Sequence, residues 1–403
     1  PTVGVNMIKK YNLDREINFK IGIYDICEEI HFNYQLNRLV NWNGGDLDEV
    51  LNNCNQITNT EEWKSVLTRL GHKAESEGRI ENAIAYYRMS EFYMQFDDPD
   101  ALKYYTKARD LFYEYYSPLF DNENGNSIIK KEEVPFEDIT LPVLHTKPEN
   151  GSRGIFLVHG GLDSYMEEFL IPMLYLREQG YEVYLFEGPG QGSVLRLKNK
   201  AFIHEWEKPV SAITQYYDLN DITIIGISLG GYFAPRAAAF DKRISRVVGW
   251  SIFPSVWDNG RESKLAIKAL HVFIGLKLGF IYDYILKSKS KKGVNEALAM
   301  RLMFHRFDVK GFNEFVKKID NYSLKPIADK IDQDVLILGA NNDIMINEKA
   351  IGTEINMLTQ VKSLTYRLLT NKENAGNHCN CGNTKLALDT IINWVDELDK
   401  RTI

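Results

Sequence analysis

The stretch Ile222-Thr-Ile-Ile-Gly-Ile-Ser-Leu-Gly-Gly231 constrains this chain more than any other. An apolar β run leads directly into Gly226-Ile227-Ser228-Leu229-Gly230, which is G-x-S-x-G, and an alanine-rich helical stretch from Ala234 to Ala239 follows. A serine set between strand and helix in this way sits on a sharp turn with a strained backbone. Only small residues two places before and two places after it let the chain pass that closely. The turn lifts the hydroxyl above the sheet, and the helix N-terminus beneath it favours developing negative charge. The bare pentapeptide is common by chance. The strand and helix on either side make Ser228 a candidate nucleophile rather than a capping serine in a glycine-rich turn.

A serine hydroxyl needs a base, and eight histidines compete for the role. In chains built on such a turn, nucleophile, acid and histidine follow in that order. His271, His305 and His378 come after Ser228. The first two lie in a helical segment among aromatic and aliphatic neighbours, which suggests packing. His378 lies in the small-residue loop Glu373-Asn-Ala-Gly-Asn-His-Cys-Asn-Cys-Gly382, between the last strand-like run and the last helix, and is the expected general base. The acid belongs after the penultimate strand, where Val335-Leu-Ile-Leu-Gly-Ala-Asn-Asn-Asp343 offers Asp343. Asp332 and Asp334 precede that strand and read as ordinary surface charges. Asp343 would fix the His378 tautomer and stabilise the imidazolium. A tetrahedral intermediate also needs two N–H donors. One is Leu229, the residue after the serine. The other comes from Val158-His159-Gly160-Gly161-Leu162-Asp163, with Gly161 as first choice and Leu162 next. His159 then orients the loop.

Two regimes of periodicity divide the chain. The first 120 residues read as helical. Trp63, Val66, Leu67 and Leu70 share a face, and Gly78 interrupts the pattern before a second run from Ile80. Asp97-Asp98-Pro99 reads as a turn into an N-cap with proline at the first helical position. After the polar loop Asp121–Asn126, short apolar runs alternate with helical ones: 154–158, 181–186, 222–225, 246–250, 335–338 and 363–369. Such alternation predicts an α/β chain with a mostly parallel sheet covered on both faces. The expected organisation is a helical accessory domain over 1–125 and a catalytic domain over 126–403. The alternation stops over about 254–322, which is read as a helical cap inserted over the carboxyl edge of the sheet.

Composition excludes several classes. With 48 basic and 55 acidic residues the formal charge is −7, which argues against a polyanionic partner, and no basic block reads as a nucleic-acid footprint. The run Lys287-Ser-Lys-Ser-Lys-Lys292 is read as a solvated loop between helices. Leu265 to Ile285 is the most apolar stretch, but Lys268, His271, Lys277 and Asp283 interrupt it, so a membrane span is not expected. Cys27, Cys54, Cys379 and Cys381 form no disulfide framework, and Pro1-Thr-Val-Gly-Val carries no signal-peptide pattern, so a reducing, cytoplasmic setting is the expectation. Glu187-Gly-Pro-Gly-Gln-Gly192 lacks the Lys-Ser/Thr ending of a phosphate loop and reads as a tight turn. His378-Cys379-Asn380-Cys381 lacks the ligand spacing of a zinc site. No cofactor and no metal is expected.

Taken together, His159-Gly-Gly-Leu-Asp-Ser164, Phe186-Glu-Gly-Pro-Gly-Gln-Gly192, Gly226-Ile-Ser-Leu-Gly-Gly231 and Gly376-Asn-His-Cys379 resemble the α/β-hydrolase superfamily. They resemble in particular the branch of the fermentation–respiration switch protein and 2,6-dihydroxypseudooxynicotine hydrolase-like enzymes, which borders on acylaminoacyl-peptidase-type hydrolase domains. The helical segment before the core fits that branch. The resemblance implies the α/β-hydrolase fold and a serine hydrolase cleaving an ester, amide or peptide bond of a small-molecule or short-peptide substrate through an acyl-enzyme. Carbon–carbon bond hydrolases share the branch, and a non-catalytic binding protein on the same scaffold is the rival reading. A homodimer through the helical parts is implied by the resemblance alone; no nucleic-acid or membrane partner is expected.

Overall fold

The computed structural model describes residues 9–120 and 127–401. The polar loop over 121–126, the domain boundary placed within it and the N-terminal pentapeptide therefore lie outside the described residues. Before the sheet come α1 (Ile30–Asn41), α2 (Leu47–Asn53), α3 (Thr60–Ser76), α4 (Ile80–Ser90), α5 (Pro99–Tyr115) and the single turn α6 (Ser117–Phe120). Local chemistry sets their starts. Asn59 caps α3 by accepting the Glu62 N–H, and Asp98 caps α5 with Pro99 at its first position. On α3 the residues Trp63, Leu67, Leu70 and Ala74 recur at helical spacing, and all four are buried against α1 and α4. The Trp63 indole N–H, carried into this core, donates to the Met89 carbonyl at 2.6 Å.

Eight strands follow: β1 (Ile129–Phe136), β2 (Ile139–Thr146), β3 (Ile155–His159), β4 (Glu182–Phe186), β5 (Ile222–Ile227), β6 (Ile244–Trp250), β7 (Asp334–Ala340) and β8 (Ser363–Leu369). Their order in the sheet is β1-β2-β4-β3-β5-β6-β7-β8; β2 is antiparallel to both its neighbours, β1 and β4, and every other pair is parallel. Every residue of β5 and of β7 is buried, as befits strands covered on both faces. Helices α7 (Leu170–Glu178), α8 (Gly192–Arg196), α9 (Glu207–Tyr216) and α10 (Gly230–Phe240) connect the central strands. The insert after β6 holds α11 (Lys264–Gly275), α12 (Gly279–Lys291), α13 (Asn295–Arg306) and α14 (Phe312–Ile319); α15 (Ala350–Met357) and α16 (Thr384–Arg401) complete the chain. One core layer packs Val210, Ile213, Tyr232 and Phe233 of α9 and α10 against the sheet, and the other packs Met173, Leu176, Leu388 and Ile391 of α7 and α16.

The six strands read from apolar runs are β3 to β8, and the insert is helical as expected. The hairpin β1–β2 was not read. Its outer strand carries Lys130, Lys131, Glu132 and Glu133, and on an edge only alternate positions need apolar side chains. Two expectations are corrected. Lys287, Lys289 and Lys291 lie on the last turns of α12, not in a loop. Asp334 is buried at the start of β7, where it accepts the Ser363 hydroxyl at 2.5 Å; only Asp332, paired with Lys242, is a surface charge. A single turn of helix, α8, begins at Gly192, where the Glu187–Gly192 turn ends.

What joins the helical layer to the sheet is buried charge. The guanidinium of Arg38 on α1 lies 2.9 Å from Asp163 and 2.6 Å from Glu168, both in the segment after β3. Arg88 of α4 adds a hydrogen bond to the Asp163 carbonyl at 2.9 Å. Burial works against charge on both carboxyls, yet the neighbouring Arg38 holds each of them below its ordinary value. Removing one partner of such a group leaves an uncompensated buried charge. Arg38→Ala is expected to lower unfolding stability by about 3–5 kcal/mol, measured by urea titration with far-UV circular dichroism.

Candidate active site

Strand order reverses between β3 and β5: β4 lies beyond one and β6 beyond the other. Loops leaving the carboxyl ends of these two strands diverge and open a crevice, the usual ligand position in an open parallel sheet. Ser228 follows β5 at that point, with φ of +62°. The strain is enforced by close packing. A Cβ on Gly226 would stand 2.0 Å from the Gly230 carbonyl oxygen, so neither side of the turn could open to relax it. The Ser228 N–H donates to the Trp250 carbonyl at 3.1 Å and the Gly231 N–H to the Ser228 carbonyl at 2.8 Å, fixing both ends of the turn.

The three residues expected to form a relay stand together. Ser228 Oγ is 2.8 Å from His378 Nε2, and His378 Nδ1 is 2.7 Å from Asp343 Oδ2. With Nδ1 carrying the proton toward the carboxylate, Nε2 is the acceptor that faces the serine. The other oxygen of Asp343 accepts the Met345 N–H at 2.7 Å and the Ile346 N–H at 3.0 Å, which holds the carboxylate plane. Burial opposes charge on His378, but Asp343 at its back, aided by Cys379, raises it well above the ordinary histidine value. The loop that carries His378 is pinned from several sides. Asn380 accepts the Trp250 indole N–H at 3.0 Å and donates to the Ala375 and Gly339 carbonyls. The Tyr34 hydroxyl, on α1, donates to the His378 carbonyl at 3.2 Å.

The loop after β3 corrects one expectation. The Gly161 N–H is engaged, donating to Ser164 Oγ at 3.1 Å. Among the described residues the Leu162 and Leu229 N–H groups donate to no protein acceptor, and both residues line the cavity above Ser228. Orientation is set from behind. Gln191 Nε2 donates to the Gly160 and Gly161 carbonyls at 2.8 and 3.0 Å. In a trans peptide the carbonyl and the following N–H point opposite ways, so holding the Gly161 carbonyl turns the Leu162 N–H the other way. Gly161 serves instead by having no side chain: a Cβ there would lie 2.6 Å from the Ile227 carbonyl oxygen and 2.9 Å from the Ser228 Cβ. The Glu187–Gly192 turn thus supplies the clamp, a role its spacing alone did not disclose. His159 is buried, donates to the Gly160 carbonyl at 2.9 Å and is pushed down to about 4 by burial, so it is a neutral orienting group.

Above Ser228 lies a cavity of about 230 Å³. Its walls come from three parts of the chain: Tyr34, Gln35 and Trp42 of the helical layer, Leu162 and Phe253 of the core, and Met303, Phe307 and Phe315 of the insert. Arg306 of α13 donates to the Leu162 carbonyl at 2.8 Å, tying the insert to the same loop. The contribution of α1 escaped the sequence reading; the signal was an arginine inside an otherwise apolar-faced helix. The other late histidines pack elsewhere, His271 with Asp320 and His305 stacked on Phe96. All four cysteines are free thiols, and Cys379 and Cys381 are buried beside His378.

Comparison with known proteins agrees with this architecture. Residues 155–317 match the profile of the alpha/beta hydrolase family. The chain is 29% identical over 265 residues to "Hydrolyase poxO" of Penicillium oxalicum, covering 56% of this chain and 62% of that protein. It is 30% identical over 275 residues to "Alpha/beta hydrolase psoB" of Aspergillus fumigatus, covering 58% of this chain and 61% of that one. The match therefore spans about three fifths of the length of these curated relatives. The solved structure of 2,6-dihydroxy-pseudo-oxynicotine hydrolase superposes with a TM-score of 0.62 at 20% identity, covering 89% of this chain and 94% of that one. AbyA5 superposes at 0.60 and 15% identity, covering 87% and 89%. The fold is the α/β-hydrolase fold with a helical N-terminal layer and a helical cap, and the resemblance drawn from the motifs is borne out.

The raised His378 has a signature of its own. The stability that the charged pair with Asp343 adds to the fold is fully present below the unfolded histidine value of 6.5 and is lost as pH rises through the higher folded value, while the Nδ1–H bond to Asp343 remains. Two-dimensional NMR of ring-labelled protein is expected to show His378 titrating above 6.5, and Asp343→Asn is expected to bring the midpoint down.

Proposed function

We propose that this chain is a serine hydrolase that cleaves an ester, amide or peptide bond of a small to medium, largely apolar substrate through an acyl-enzyme. The observation that carries the reading is the unbroken relay from Ser228 Oγ through His378 to Asp343, at 2.8 and 2.7 Å, set at the mouth of a cavity with two unengaged N–H groups. Similarity to proteins named hydrolase or hydrolyase supports the reaction class.

The chemistry follows from the geometry. Ser228 Oγ attacks a carbonyl carbon while His378 Nε2 takes its proton. Asp343 stabilises the imidazolium without accepting that proton. Negative charge develops on the carbonyl oxygen and is met by the Leu229 and Leu162 N–H groups. Collapse of the intermediate expels the leaving group, which receives the proton from His378. Water then enters, His378 deprotonates it, and the acyl group leaves Ser228 as a carboxylic acid. The apolar walls from the insert favour an aliphatic or aromatic acyl part, while Gln35 and Arg38 offer polar contact on the side of α1.

A fluorophosphonate probe is expected to label the wild type and to leave Ser228→Ala and His378→Ala unlabelled. With a substrate found by screening esters, peptidyl amides and diketones, Ser228→Ala should lose about 10⁶ in kcat. A folded wild type that resists labelling and turns over none of these compounds would instead favour the binding-protein reading. Because His378 acts only when neutral, the acid limb of kcat/KM is expected to sit above pH 6.5, and rates should rise as pH increases through it.

A further inference from the structure

The cap carries a feature that the site above does not use. On α11 and α12 the side chains of Leu265, Val272, Leu276, Phe280, Tyr284 and Ile285 are exposed, with Leu265 at 78% and Tyr284 at 77%. Their spacing is helical: 265 and 272 fall on one stripe of α11 with 276 at its C-cap, and 280 and 284 on one stripe of α12. Soluble surfaces carry scattered apolar residues, but exposed apolar stripes on two successive helices mark an interaction face.

Charge identifies what the face meets. From Lys264 to Lys292 the chain holds seven lysines and one carboxylate, Asp283, a local formal charge of +6 on a chain whose total is −7. Asp283 is turned inward and accepts the Phe312 N–H at 2.9 Å, so it does not offset the lysines at the surface. Among the described residues none of the seven lysines is ion-paired with a carboxylate. Apolar stripes flanked by unpaired lysines, whose aliphatic stems can lie along the apolar surface, match the interface of an anionic bilayer.

Neither helix is long enough to span a bilayer by itself. The two helices turn by 102° at their junction, and with 12 and 13 residues each is about 18–20 Å long, short of the roughly 30 Å hydrocarbon layer. The lysines that interrupt the apolar stretch, which argued against a membrane helix in the sequence, are what a helix lying in the headgroup plane requires. We propose that α11 and α12 form a docking surface for membranes rich in anionic phospholipid, with Phe280 and Tyr284 entering the acyl boundary. α12 packs on α13 and α14, which with the residue capping α13 supply Met303, Phe315 and Phe307 to the cavity, so docking brings the cavity roof to the bilayer.

Vesicle co-sedimentation of the full chain tests this and does not depend on hydrolysis, so its result stands apart from the hydrolase reading. Vesicles with about one third phosphatidylserine should bind the wild type roughly tenfold more than pure phosphatidylcholine, and the excess should fall with added salt. Phe280→Ser with Tyr284→Ser should cut binding roughly tenfold. Lys287→Gln, Lys289→Gln, Lys291→Gln and Lys292→Gln together should erase the preference for phosphatidylserine. Circular dichroism controls for folding, and either variant set suffices if the other fails it. Equal binding to both lipids overturns the proposal, as does binding that the Phe280/Tyr284 variant retains. Sedimentation velocity that shows a dimer, dissolved by that variant with no vesicle binding in the wild type, would assign the face to a second copy instead.

Discussion

One buried guanidinium organises this molecule. Arg38 reaches from the first helix of the N-terminal layer into the loop after β3, where Asp163 and Glu168 receive it. That loop also carries Leu162, whose carbonyl is held by Arg306 from the insert and whose preceding carbonyl is held by Gln191 from the core. Helical layer, sheet and cap therefore meet at a single segment of backbone. A buried ion pair of this kind gives little net stability over an apolar replacement, but it fixes relative position sharply because any slip leaves a charge unpaired. The cavity walls inherit that positional precision from Arg38.

The same arrangement explains why the N-terminal helices are part of the site and not an appendage. Tyr34 holds the His378 carbonyl, and Gln35 and Trp42 face the cavity. A helical layer with its own apolar core, built on Trp63, Tyr86 and Met89, can keep its shape while presenting these groups. The cavity above the serine is thus walled by two separate helical elements that converge on it from different parts of the chain.

How much of this was legible in the sequence varies with the physics of each element. The strands β3 to β8 show as apolar runs because both faces of the sheet are covered, and Ser228 shows because its turn admits only small neighbours. Asp343 and His378 were reachable by chain order and by loop composition. The hairpin β1–β2 was hidden, since a charged edge strand needs few apolar residues. The order of choice in the loop after β3, Gly161 before Leu162, was not legible: Gly161 reads as the flexible position, while its N–H is taken by Ser164, a contact three residues away that no pattern announces. Arg38 was not legible at all as a wall of the cavity: its partners lie about 130 positions along the chain, and only the fold brings them together.

The Gln191 clamp on the Gly160 and Gly161 carbonyls has a consequence for how charge is received in this site. Liquid water stabilises a new anion by turning its dipoles, and that turning opposes every step in which charge moves. Here the amide dipoles around Ser228 were turned when the chain folded and are held from the far side by a side chain that does not line the cavity. For the proposed acyl transfer the cavity is thus a fragment of solvent whose reorientation is already complete, and the work of aligning it is carried by the folding equilibrium instead of that reaction's barrier.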